Sequence, residues 1–311
     1  MQSLKFIRTL SLARNNLLRA GRANGGSAKQ LTKKVIIGTG ATGTLLGLSF
    51  WGSSTPKEDE NKFSALPSND KGQKNLTLII RETDALYDNY LIDNAYAILR
   101  KHANGDEPEL LWRLARVVCE MGKQSKDPEV RKKLFIEAHG YCKKALENQH
   151  VSGCFGAEKW MAILLDYVGE IEGTKSRIKK SYQVKEHLER AVELNPFDAT
   201  TYHILGVWHF TFADMPTYQK YLAAAIFATP PSSTYEEALR YFEKSDAISK
   251  NYSTNTYYIG ECYSKLNMKD EARIYYLKAF KAPVITIDDK KAHENSLAKL
   301  KAIGMKTSEL V

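Results

Sequence analysis

A chain of 311 residues, 43% apolar and 26% charged, has the composition of an ordinary folded body, of about two domains by length unless it is a repeat array whose units bury themselves on their neighbours. The net charge of +9 belongs to one end: residues 1–57 carry nine Lys or Arg and no acid, and the chain from Glu58 onward balances 36 bases against 36 acids. The folded part is therefore no nucleic-acid binder by charge, and Cys119, Cys142, Cys154 and Cys262, without CxxC or paired spacing, read as buried free thiols rather than bridges.

Residues 1–34 read as a basic amphipathic targeting segment. Phe6, Ile7, Leu10, Ala13, Leu17 and Leu18 share one helical face with Lys5, Arg8 and Arg19 opposite, the acid-free and Arg-rich pattern of a mitochondrial transit peptide. Val35–Trp51 (VIIGTGATGTLLGLSFW) mimics a dinucleotide turn at Gly38, Gly40 and Gly43, but Ser53, Ser54 and Pro56 end the run, so no βαβ unit can surround it. As a helix its seventeen residues span about 26 Å against a hydrocarbon core of about 30 Å. The reading is a short, marginal transmembrane anchor, with a peripheral or cleaved segment as the alternative. Residues 52–75 are polar linker, and residues 306–311 a tail.

From Leu76 apolar residues recur at three and four, with helix punctuation at Asp127-Pro128, at Asn195-Pro196 before Asp198, and at a capping box assigned to Ser233 and Glu236. Asn255–Pro283 sets the register. Gly260, Tyr263, Ala272, Tyr276, Ala279 and Pro283 fall at the spacing of a tetratricopeptide (TPR) repeat, in which small residues let two antiparallel helices, A and B, approach closely. Earlier units follow: Tyr202, Leu205 and Gly206 with Ala238 and Phe242; Trp160, Leu164 and Tyr167 with Val184, Leu188 and Ala191; Leu111, Leu114 and Ala115 with Ala138, Cys142 and Ala145; and a further pair over residues 76–104. The step from helix B to the next helix A is 22 residues at both Val184–Gly206 and Ala238–Gly260, whereas the step within a unit is 12 in the last and 23, 20 and 32 in the earlier ones. The extra residues are thus expected between A and B as extended loops along one edge, the longest containing a short helix near Lys220–Phe227. The fold class is all-α: a TPR-like helical-hairpin solenoid over residues 76–305.

Helix A of such a unit lines the concave groove. The inward positions are Met161, Leu165 and Val168, His203, Val207 and Phe210, and Tyr257 and Glu261. This apolar, aromatic wall suits a peptide, an amphipathic helix or a lipid chain, unless insertion residues fill it.

Four stretches are more specific: Glu109–Arg116 (ELLWRLAR), Asp166–Gly173 (DYVGEIEG), Ala191–Pro196 (AVELNP) and Phe227–Tyr235 (FATPPSSTY). Together they resemble the regulator of microtubule dynamics family of TPR-like proteins, over roughly residues 76–305. The resemblance implies microtubule association, a role at the spindle and its poles in the cytoplasm, no enzymatic activity, and membrane-anchored relatives. Beside it stands a basic run of five bases and no acid (Lys175, Arg177, Lys179, Lys180, Lys185), read as a loop between A and B able to hold acidic tubulin tails, or else as a solvated helix face. No GxSxG, HExxH or P-loop is present. His139 with Cys142, and His150 with Cys154, fall short of the four ligands of a structural zinc site, so neither metal nor cofactor is expected.

Overall fold

The computed structural model describes residues 70–226, 228–250, 252–284 and 287–305. The targeting segment, the apolar run 35–51, most of the linker and the tail lie outside the described residues. Twelve α-helices and no strand occur among them: α1 (Asp70–Asp88), α2 (Ile92–Leu99), α3 (Pro108–Gln124), α4 (Pro128–Glu147), α5 (Phe155–Glu172), α6 (Thr174–Leu194), α7 (Ala199–Ala213), α8 (Thr217–Ile226), α9 (Tyr235–Ile248), α10 (Ser253–Lys265), α11 (Lys269–Lys281) and α12 (Ile287–Ala302). Helix α1 begins inside the stretch read as linker.

Helices pack most broadly on their hairpin partners, α3 on α4, α5 on α6, α7 on α9 and α10 on α11, and each hairpin leans on the next. In the last two hairpins the close approach comes from a glycine facing a ring. A Cβ on Gly260 would stand 2.8 Å from the Tyr276 ring, and one on Gly206 would stand 2.6 Å from the Phe242 ring. The described chain is an all-α, TPR-like solenoid.

The caps explain the helix starts. Asp127 accepts from the Glu129 and Val130 amides with Pro128 in the first turn, and Asp198 accepts from the Thr201 amide at 2.7 Å. The box before α9 sits one residue later than its sequence suggested. Thr234 accepts from the Glu237 amide, and Glu237 accepts from the Thr234 amide. Ser233 instead donates to Glu237 at 2.7 Å.

The expected A–B loops are largely absent. Only Gly173, at φ +102°, separates α5 from α6, so the additional residues lengthen both helices of that hairpin by further turns. Only the fourth unit carries a true insertion, and α8 forms within it.

The core divides along the array. One cluster joins the first three hairpins to Leu205, Trp208 and Phe212 of α7; a second joins Phe210 of α7 to Phe242 of α9 and Ile259 of α10; a third joins Tyr276 of α11 to Leu300 of α12. Helix α7 therefore serves two clusters and is apolar on nearly every side. Asn255, fully buried, ties three helices: its amide donates to the Phe242 carbonyl at 2.8 Å, and its Oδ1 meets His203 Nδ1 at 3.1 Å. Asn255→Ala leaves both partners buried and unsatisfied, so chemical denaturation should show a loss of about 2–3 kcal/mol.

Candidate functional site

The basic run is helix, not loop. It forms the first half of α6, and its five bases divide by the face on which they fall. Arg177 is 2% exposed and makes two parallel bonds to Asp166 of α5, Nε to Oδ1 and Nη2 to Oδ2, each at 2.8 Å. Lys180 pairs with Glu172 at 3.0 Å, and Lys185 pairs with Glu189 at 3.4 Å while lying 5.5 Å from the centre of the Trp208 ring. Lys175 and Lys179 remain exposed, one turn apart. The DYVGEIEG stretch accounts for this. Asp166 binds the arginine, Gly169 makes room for the Arg177 backbone, and Gly173 turns the chain so that the two helices meet. A motif that marked only the family resemblance is a hairpin clasp.

The groove positions do lie on A helices, but they belong to packed interior rather than an open wall. Met161, Leu165, Val168 and Phe210 are buried, and Val207 and Tyr257 are half-buried. His203 is enclosed by the rings of Tyr252, Phe242 and Tyr258 at 4.7, 5.5 and 5.8 Å. Burial pushes its imidazole down to about 4 against the opposing bond from Asn255, so it is neutral and structural. Glu261 accepts from the Tyr276 hydroxyl at 2.5 Å and pairs with Lys299 of α12 at 2.7 Å. The carboxylate that had read as a groove lining thus fastens the last helix.

Free space occurs where α7 reaches the preceding hairpin, chiefly through α6. Ile163 and Asp166 of α5, Ser181 and Val184 of α6, and Val207 and Phe212 of α7 line a mostly apolar pocket of about 70 Å³. Trp208 closes one side by donating its indole N–H to the Ser181 carbonyl at 2.8 Å.

Among the described residues no three His, Cys, Asp or Glu converge on a metal position. Burial, reinforced by Glu109, pushes the Cys154 thiol up to about 12, and burial raises Cys142 and Cys262 as well, the opposite of an activated thiolate. His209, Ser233 and Glu237 do cluster, but the Ser233 hydroxyl stands between the other two, bonded to His209 Nδ1 and Glu237 at 2.7 Å each. That order leaves the imidazole without the carboxylate orientation a nucleophile relay needs.

Sequence reasoning missed a charged knot at the N-terminal end. Asp84 of α1 accepts from Arg113 Nε at 2.9 Å and Nη2 at 2.8 Å, and from Arg116 at 2.6 Å. The Arg113 guanidinium lies 4.1 Å from the centre of the Trp112 ring, and Trp112 donates to Glu109 at 2.9 Å. The ELLWRLAR stretch is this knot. Two arginines one turn apart within the apolar run Leu110–Val118 were the available signal, but their shared partner lies 29 residues upstream of the first.

The profile of the regulator of microtubule dynamics protein 1-3 family matches residues 79–304. Regulator of microtubule dynamics protein 1 of Mus musculus is 44% identical over 214 residues, covering 68% of this chain and 70% of that protein. The Homo sapiens protein of that name is 46% identical over 181 residues, 58% of this chain and 57% of that protein. Regulator of microtubule dynamics protein 3 of Xenopus laevis is 29% identical over 242 residues, 76% of this chain and 51% of that protein. Among solved structures, a thermophilic TPR protein of Thermus thermophilus aligns with a TM-score of 0.49 at 17% identity, over 71% of this chain and 98% of that one. With the match running over residues 79–304 and through nearly all the described helices, the chain belongs to the regulator of microtubule dynamics protein 1-3 family.

Proposed function

We propose that the protein is a non-enzymatic, microtubule-associated scaffold, with tubulin as its partner and the spindle as its place of action, and that its basic N-terminus addresses it to the mitochondrion. The observation that carries this reading is family membership: the relatives are named for the regulation of microtubule dynamics. The geometry narrows the surface. Of the five bases of the run Lys175–Lys185 only Lys175 and Lys179 are exposed, and one helix away on α4 lie exposed Lys132, Lys133 and Lys143. A disordered acidic tail can lie across these exposed lysines of successive B helices by salt-sensitive attraction.

Co-pelleting of the full chain with microtubules across a salt series tests this. The expected result is saturable binding that falls steeply with salt and by about tenfold in K175E/K179E, an affinity loss of about 1.4 kcal/mol. Both positions are exposed, so folding is preserved. Pelleting unchanged in the variant moves the contact off α6, and no pelleting at low salt sinks the microtubule reading. The alternative reading, an organelle-membrane tether or lipid-binding protein using its concave face, predicts that lipid co-purifies with the chain; the pocket beside Trp208, at about 70 Å³, is too small to hold a lipid chain.

A further inference from the structure

Helix α8 is built inside out. Tyr218, Tyr221, Leu222, Ala225 and Ile226 fall on one arc of its wheel, and all five are exposed, Tyr221 at 74%. The opposite side, facing the protein, carries half-buried Gln219 and Lys220 with Ala223, the only buried residue of the helix. A surface helix ordinarily buries its apolar stripe and presents its polar one. Helix α8 makes only marginal contact with any other described helix, yet both of its ends are held. Met215 is buried before it, Pro230 and Pro231 are buried after it, and the Tyr182 hydroxyl of α6 donates to the Thr229 carbonyl at 3.2 Å. The helix is therefore a fixed apolar ridge.

Charge selects what covers it. From Met215 to Tyr235 the chain contains no acid, and Lys220 is its only charged residue. Tyr182 joins this segment to α6, where Lys179 and Lys175 stand one and two turns before it. A second copy would set lysine against lysine. A disordered acidic tail would meet the lysines but leave the aromatic arc in water. Two tyrosines on the ridge fit a boundary between oil and water, because their rings can enter an apolar layer while their hydroxyls stay hydrated. We propose that α8, with Lys175 and Lys179 beside it, is an interfacial membrane-docking ridge that takes an anionic lipid surface, inserting Tyr221, Leu222 and Ile226 to headgroup depth. This goes beyond the microtubule reading and shares with it only Lys175 and Lys179.

The test places an environment-sensitive fluorophore on the full chain at L222C, with E147C on α4 as control; the native cysteines are all buried. Vesicles of phosphatidylcholine containing phosphatidylserine should shift the emission of the residue 222 label to the blue and leave the control unchanged. Y221S/L222S/I226S should cut flotation with those vesicles by about tenfold or more. Unchanged emission at 222 while the protein still floats assigns binding to another segment and overturns the proposal. A shift with polymerised tubulin and none with vesicles also overturns it, handing the ridge to the microtubule contact. Equal shifts on pure phosphatidylcholine, insensitive to K175E/K179E, overturn the anionic assignment.

Discussion

Asp84→Ala is expected to lower the stability of the first hairpin by about 3 kcal/mol. Asp84 is the shared acceptor of Arg113 and Arg116, both nearly buried, and Glu109 can compensate only the first of them. Arg116 would keep the Tyr87 ring 3.8 Å from its guanidinium, but no carboxylate. Because a solenoid opens unit by unit, the loss should appear as faster hydrogen exchange in α1 and α2, with α10 and α11 unaffected. The pH dependence follows in sign. Burial raises the Asp84 carboxyl, but the bonds and charges of Arg113 and Arg116 outweigh it and hold it below its ordinary 3.8. A carboxyl depressed in the folded state contributes its stability in full above that unfolded value and loses it as the pH falls through the folded one. Asp84→Asn should therefore flatten the acid limb of hairpin stability below about pH 4. Exchange in α1 and α2 unchanged by Asp84→Ala would mean that the knot contributes nothing.

Gly156→Ala is expected to destabilise the junction of α3 and α5 by about 2–3 kcal/mol, although alanine favours a helix by about 1 kcal/mol over glycine. The new methyl would fall inside the Trp112 indole, and that ring cannot give way. It is bonded through Nε1 to Glu109, with Arg113 4.1 Å and Arg116 5.1 Å from its ring centre. Trp112→Leu in the Gly156→Ala background should recover part of the loss, so the two changes together cost less than their sum in a thermal denaturation cycle. A Gly156→Ala protein as stable as the parent would show that Trp112 does not pack against α5. The glycine and the tryptophan are 44 residues apart, and the indole's neighbours come from two helices.

The repeat register, the A–B partners and the helix starts marked by Asp127 and Asp198 were readable in the sequence, because each depends on residues within one or two turns or on a spacing that repeats. Gly260 facing Tyr276, and Asp127 and Asp198 as caps, needed no more than that. The family too was readable, since FATPPSSTY and DYVGEIEG are distinctive as strings. What those strings do was not. Arg177 looked like one of five free bases until an antiparallel neighbour brought Asp166 within 2.8 Å of it. Glu261 looked like a groove acid until α12 folded over it. The extra residues of the α5–α6 hairpin were read as a loop because the register marks only the crossing point. Adding turns to both helices at the closed end of a hairpin leaves that point unmoved, so spacing alone cannot tell a long hairpin from a looped one.

The sequence by itself determined that this chain is a helical repeat array, where its crossings lie and which family it belongs to. The tertiary structure alone decided which charges are consumed as clasps, which groove positions become core, and that α8 shows its apolar face to water. The reason is range. Capping and periodicity act within a few residues, whereas the fate of a charge or an apolar stripe depends on which distant helix the fold lays against it.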